Sequence, residues 1–103
     1  MALKIYTLAE LDIPTAGTRV QASATSTIVS SIIFQADTAN TGNIFVGDVN
    51  VTSTRGYALT PGDSIAFSGD MAGYSGKEFI LSDFYVDTAT NGNDVWITYV
   101  APK

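Results

Sequence analysis

Thr90-Asn91-Gly92-Asn93-Asp94-Val95-Trp96-Ile97-Thr98-Tyr99-Val100 decides the fold class of this chain. Asn-Gly is the strongest short turn signal a sequence carries, and the six residues that close the stretch alternate side by side. Val95, Ile97 and Tyr99 fall on one face of a strand, and Trp96, Thr98 and Val100 fall on the other. Both faces carry large apolar groups. Such a strand needs a core beneath it and a second cover above it, and in a small domain that cover is another subunit.

Upstream, Ile28 to Ala36 places Ile32, Phe34 and Ala36 opposite Ile33 and Gln35, the pattern of a central, largely buried strand. Arg19 to Thr25 reads as a strand with Val20, Ala22 and Ala24 inward. Ile44 to Val46 and Ser64 to Ser68 read as short strands, the latter with Ile65 and Phe67 on one face. From Glu78 to Asp87, strand character centres on Phe79, Leu81, Phe84 and Val86, with a break at Ser82-Asp83.

Turn chemistry punctuates these runs. Asp37 to Asn43 is a turn cluster in which Gly42 and the two asparagines suit positive φ. Pro61-Gly62 predicts a type II turn, because proline presets φ and glycine accepts the positive value. Gly47 to Gly56 reads as an ordered loop and Gly69 to Lys77 as a protruding one. Thr90 to Asp94 reads as a primed hairpin turn. No helical period occurs beyond a possible turn at Leu8 to Asp12. The fold class is therefore all-β, a single-domain antiparallel β-sandwich of jelly-roll-like form.

The domain is residues 17–103. Residues 1–16 alternate weakly and end at Pro14-Thr15-Ala16-Gly17, so they read as an N-terminal arm or a peripheral strand. In that segment Leu3, Lys4, Ile5 and Tyr6 are the candidate partner contacts, joined by Trp96 from the last strand.

Charge and composition exclude several functions. The 103 residues carry ten acids against five bases, a formal charge of −5, and Lys4, Arg19, Arg55, Lys77 and Lys103 are too scattered for a nucleic-acid surface. Met1 to Leu8 lacks the apolar run of a secretory signal, and no stretch approaches the roughly 18 apolar residues of a membrane span. There is no cysteine and no histidine. A conventional triad, a thiol nucleophile and the usual zinc ligands are thereby removed, so neither an enzyme nor a metal or other cofactor is expected. Asp48, Asn50 and Asp70 have the oxygen chemistry of calcium ligands, but nothing matches an EF-hand loop, and capping of a turn accounts for the first two. Gly73-Tyr74-Ser75-Gly76-Lys77 has the wrong spacing for a phosphate loop.

Asn43-Ile44-Phe45-Val46-Gly47-Asp48-Val49-Asn50-Val51-Thr52-Ser53, then Gly56, then Leu59-Thr60-Pro61-Gly62-Asp63-Ser64-Ile65, resembles small proteins encoded in phage and prophage structural gene regions. The likeness extends back to Val29–Ala36 and forward to Leu81–Asp87 and the final strand. It implies a virion component, made in the host bacterial cytoplasm, such as a capsid decoration (cement) protein that binds and stabilises the assembled head shell. The implied partners are the major capsid protein or another virion protein, with a homotrimer as the expected assembly. The alternative is a fibre or baseplate module that binds a receptor or glycan through Tyr57, Tyr74 or Trp96.

Overall fold

The computed structural model describes residues 2–68 and 79–102. Among the described residues, eleven strands are distributed over three antiparallel sheets: β1 (Leu3–Thr7), β2 (Leu11–Ile13), β3 (Val20–Gln21), β4 (Ile28–Val29), β5 (Ser31–Ala36), β6 (Ile44–Gly47), β7 (Tyr57–Leu59), β8 (Ser64–Ser68), β9 (Phe79–Ile80), β10 (Tyr85–Thr88) and β11 (Asn93–Pro102). The largest sheet has the order β1-β11-β5-β8, and β2 adds to β11 beyond the end of β1. A four-stranded sheet, β3-β10-β6-β7, and a two-stranded sheet, β4-β9, complete the sandwich-like all-β arrangement of the described residues.

Alternation in β5 and β11 positions the core. Ile32, Phe34 and Ala36 of β5 and Val95 and Ile97 of β11 are buried, and the register sets Phe34 beside Ile97 and Ala36 beside Val95. Across from them Ile44 and Val46 of β6 and Val86 of β10 are buried in the same cluster. Complete burial of an aliphatic or phenyl side chain contributes about 1.5–3 kcal/mol, so this layer holds the two larger sheets together. Rings of Phe34, Phe67, Phe79 and Phe84 close one end, with centroids 5.3 to 6.3 Å apart in tilted and edge-on pairs.

The break expected at Ser82-Asp83 is a 3-10 turn over Leu81–Asp83 between β9 and β10. Three other local expectations need correction. Asn91-Gly92 does not make a primed hairpin: only Gly92 has positive φ, at 80°, and β10 and β11 belong to different sheets. The four residues between them carry the chain from one sheet to the other, anchored where the Gly92 N–H donates to the Ile13 carbonyl. Nor do Gly42 or its neighbouring asparagines take positive φ. Gly42 is small because a Cβ there would lie 2.7 Å from Thr90 Oγ1. Only Val20–Gln21 of the Arg19–Thr25 run pairs as a strand, and Ala24 is exposed.

The N-terminal segment is sheet edge, not a free arm. β1 runs antiparallel to β11 from Leu3 opposite Pro102 to Thr7 opposite Thr98, and β2 continues with Ile13 opposite Asn93. Ile13 is wholly buried.

Candidate interaction face

Register fixes which side chains share the outer face of the large sheet. Paired residues of antiparallel strands point the same way, so Trp96, Thr98, Val100 and Pro102 of β11 lie beside Gln35, Ile33 and Ser31 of β5 and beside Thr7, Ile5 and Leu3 of β1. Four of these are large apolar groups left substantially in solvent: Leu3 at 56%, Ile5 at 67%, Ile33 at 43% and Trp96 at 45% exposure. Isolated exposed apolar residues are ordinary, whereas these four share one sheet face, interspersed with Thr7, Thr98, Ser31 and Gln35.

The five residues predicted from sequence divide between two faces. Leu3, Ile5 and Trp96 belong to the outer face. Lys4 and Tyr6 point to the other side of β1, where Tyr6 stacks on Tyr99 at 5.2 Å and the Lys4 ammonium lies 5.2 Å from the Tyr6 ring centroid. Tyr6 and Tyr99 line a shallow groove of about 650 Å³ with Ser26, Thr27, Ile28, Ala101 and Pro102.

One end of the outer face is acidic, which sequence spacing did not reveal. β2 sets Asp12 opposite Asp94, and the turn after β5 brings up Asp37. One carboxylate oxygen from each of Glu10, Asp37 and Asp94 lies within 4.8 Å of the others. Local bonds hold this group in place. Asp37 Oδ1 accepts the Ala39 N–H at 3.0 Å, and the Asn40 side chain brackets Asp94, donating to its carbonyl at 2.9 Å and accepting its N–H at 2.8 Å. A hydrogen bond to Asp37 raises the Glu10 pKa from 4.5 to about 7, helped by desolvation and by the charges of Asp94, Asp37 and Asp12. Asp37 is lowered, first by the Ala39 N–H, then by the Glu10 hydrogen bond, with the Trp96 side chain contributing. Asp94 is raised by burial and by its hydrogen bond with Asp12. When protonated, Glu10 is placed to donate to the Asp37 carboxylate, a proton the two acids would share. Glu10, Asp37 and Asp94 are also the described acids placed to share a cation.

The other candidates do not converge. Asp48 Oδ1 accepts the Asn50 N–H at 2.9 Å, a local turn contact, while Asp70 and the Gly73–Lys77 motif lie outside the described residues. Tyr57 is exposed on β7 of the four-stranded sheet and Trp96 on the large sheet, so these two aromatics do not form one stacking platform. Tyr74 also lies outside the described residues. Comparison with family models, curated proteins and solved structures finds no match to this chain.

Proposed function

We propose that this chain is a non-enzymatic bacteriophage virion structural protein, a capsid decoration protein that docks on the assembled head shell through the outer face of its large sheet. The observation that carries the docking surface is the set of exposed apolar side chains, Leu3, Ile5, Ile33 and Trp96, on one sheet face. The assignment to a virion is supported by the resemblance over Asn43–Ile65, and the jelly-roll form belongs to the same proposal. Binding only the assembled shell stabilises it by mass action, without covalent chemistry. Tryptophan is among the side chains that concentrate binding energy, and Trp96, at the acidic end of this face with Ile33 diagonal to it on β5, is the proposed anchor. A glycan-binding module has less support, because Tyr57 and Trp96 lie in different sheets.

Cryo-electron microscopy of purified particles and co-sedimentation of added protein with undecorated heads test the proposal. Density on the head surface is expected, and Trp96→Ala with Ile33→Ser should weaken binding at least about thirtyfold, the equivalent of one hot-spot contact. Density confined to the tail, or undiminished binding by the folded double variant, overturns it.

A further inference from the structure

We infer that two copies of this chain pair through the outer edge of β1, joining their large sheets into one continuous sheet about a twofold axis.

The phase of the β1–β11 ladder shows which backbone groups face outward. The Leu8 N–H donates to the Ile97 carbonyl at 3.0 Å, next to the register pair Thr7 and Thr98. In an antiparallel ladder bonded and non-bonded pairs alternate. Tyr6–Tyr99 and Lys4–Ala101 are therefore the bonded pairs, whereas Leu3, Ile5 and Thr7 turn their N–H and C=O groups away from β11. Pro102 agrees with this phase, since it stands opposite Leu3 in a pair that asks no N–H of it. The outward groups meet no other described strand, as β11 is the sole partner of β1.

Edges of this kind are normally blunted by brevity, proline, a bulge or charge. β3 has two residues and β7 three, which protects them. β1 has five, without proline, and its one charge, on Lys4, points to the opposite face from Ile5. The other edge of the large sheet, β8, leads into residues outside the described set.

A second copy of β1 is the occupant that this edge fits. Antiparallel pairing centred on Ile5 sets Ile5 against Ile5 and Leu3 against Thr7, so every outward-turned residue joins a bonded pair, with roughly six new backbone hydrogen bonds. Lys4 then stands opposite the partner's Tyr6 in the closer, non-bonded pairs, where it can repeat the cation–π contact it makes within its own chain. The axis is perpendicular to the sheet, so both outer faces point the same way. The acidic groups, beyond β1 at Glu10 and Asp12, fall at opposite ends of the joined sheet.

Analytical ultracentrifugation and cross-linking test this. The unaltered chain should sediment at twice 10.9 kDa. Ile5→Pro removes an N–H that β11 does not use, so it should keep the circular dichroism of the fold and, by deleting both donors of the Ile5–Ile5 pair, weaken the dimer at least about tenfold. Where Ile5→Pro alters the spectrum, Ile5→Lys replaces it, setting two ammonium groups side by side across the axis. The chain has no cysteine, and bonded antiparallel pairs hold Cα atoms about 5.5 Å apart, within disulfide range. Ile5→Cys should therefore oxidise to a covalent dimer and Ile33→Cys should not. A monomer at about 100 µM, above the range of all but weak interfaces, overturns the inference. So does a trimer, a folded Ile5 variant that still dimerises, or an Ile5→Cys dimer that fails to cross-link. A dimer without affinity for heads would refute the virion proposal and leave this one standing.

Discussion

Asn93 shows what a single buried polar residue does in this fold. It is 2% exposed, and its Nδ2 donates to Thr88 Oγ1 and Thr90 Oγ1, each at 2.8 Å, and to the Gly42 carbonyl at 3.3 Å. Its Oδ1 accepts the Thr41 N–H at 2.9 Å. One amide therefore ties the turn after β5 to the crossover between the two large sheets. Asn93→Ala strands these partners, and stability measured by urea unfolding should fall by about 2–3 kcal/mol. A loss below half of that would mean that water replaces the amide. Glu10 sets a pH dependence. Its pKa is raised from 4.5 to about 7 by Asp37, by desolvation and by its acidic neighbours, so the folded state holds this proton more tightly than the unfolded chain does. That contribution is complete below pH 4.5 and is lost as pH rises through about 7. Melting temperature should therefore decline across this window in the unaltered chain, with Asp94 acting in the same direction. Glu10→Gln should flatten the decline, and parallel slopes for the two proteins would show that the shared proton does not matter. Sequence had suggested Asn93 only as a turn residue, because a side chain's partners 50 residues away leave no mark on local spacing.

At the scale of elements, the N-terminal strands behave differently from an arm. β2 inserts Ile13 fully into the core, and β1 stacks Tyr6 on Tyr99. Deleting Ala2–Ile13 should cost about 4 kcal/mol or more, because a buried isoleucine alone is worth roughly 2–5 kcal/mol and the edge of β11 is uncovered as well. Removing Ala2–Thr7 keeps Ile13 and should cost distinctly less. Thermal unfolding of the two truncations measures the difference, and equal losses would place the stabilisation in β1 instead. Weak alternation in Lys4–Ile13 has a physical cause: β1 is exposed at nearly every position, leaving little pressure for an apolar period. The alternation of β5 was legible because one of its faces is buried throughout. Asn91-Gly92 misled for a related reason. The dipeptide supplies a tight turn, but whether the flanking strands then pair is decided by the core each one enters.

For the whole molecule, the radius of gyration of 13.4 Å is close to the roughly 13 Å of a 100-residue globule, which suits one core shared by both larger sheets. That core uses inward faces only, and the outer face of the large sheet leaves Leu3, Ile5, Ile33 and Trp96 in solvent. Legible in the chain alone were the all-β class, the division of β5 and β11 each into two alternating sets of side chains, and the Pro61-Gly62 turn. These are local properties, written in a two-residue period and in the φ preferences of proline and glycine. Tertiary structure alone decided that residues 3–13 line β11, that β10 and β11 part into different sheets, and that Glu10, Asp12, Asp37 and Asp94 gather at one end. Backbone hydrogen bonds are blind to side-chain identity, so the choice of pairing partner comes from the packing of the whole chain and not from any stretch of it.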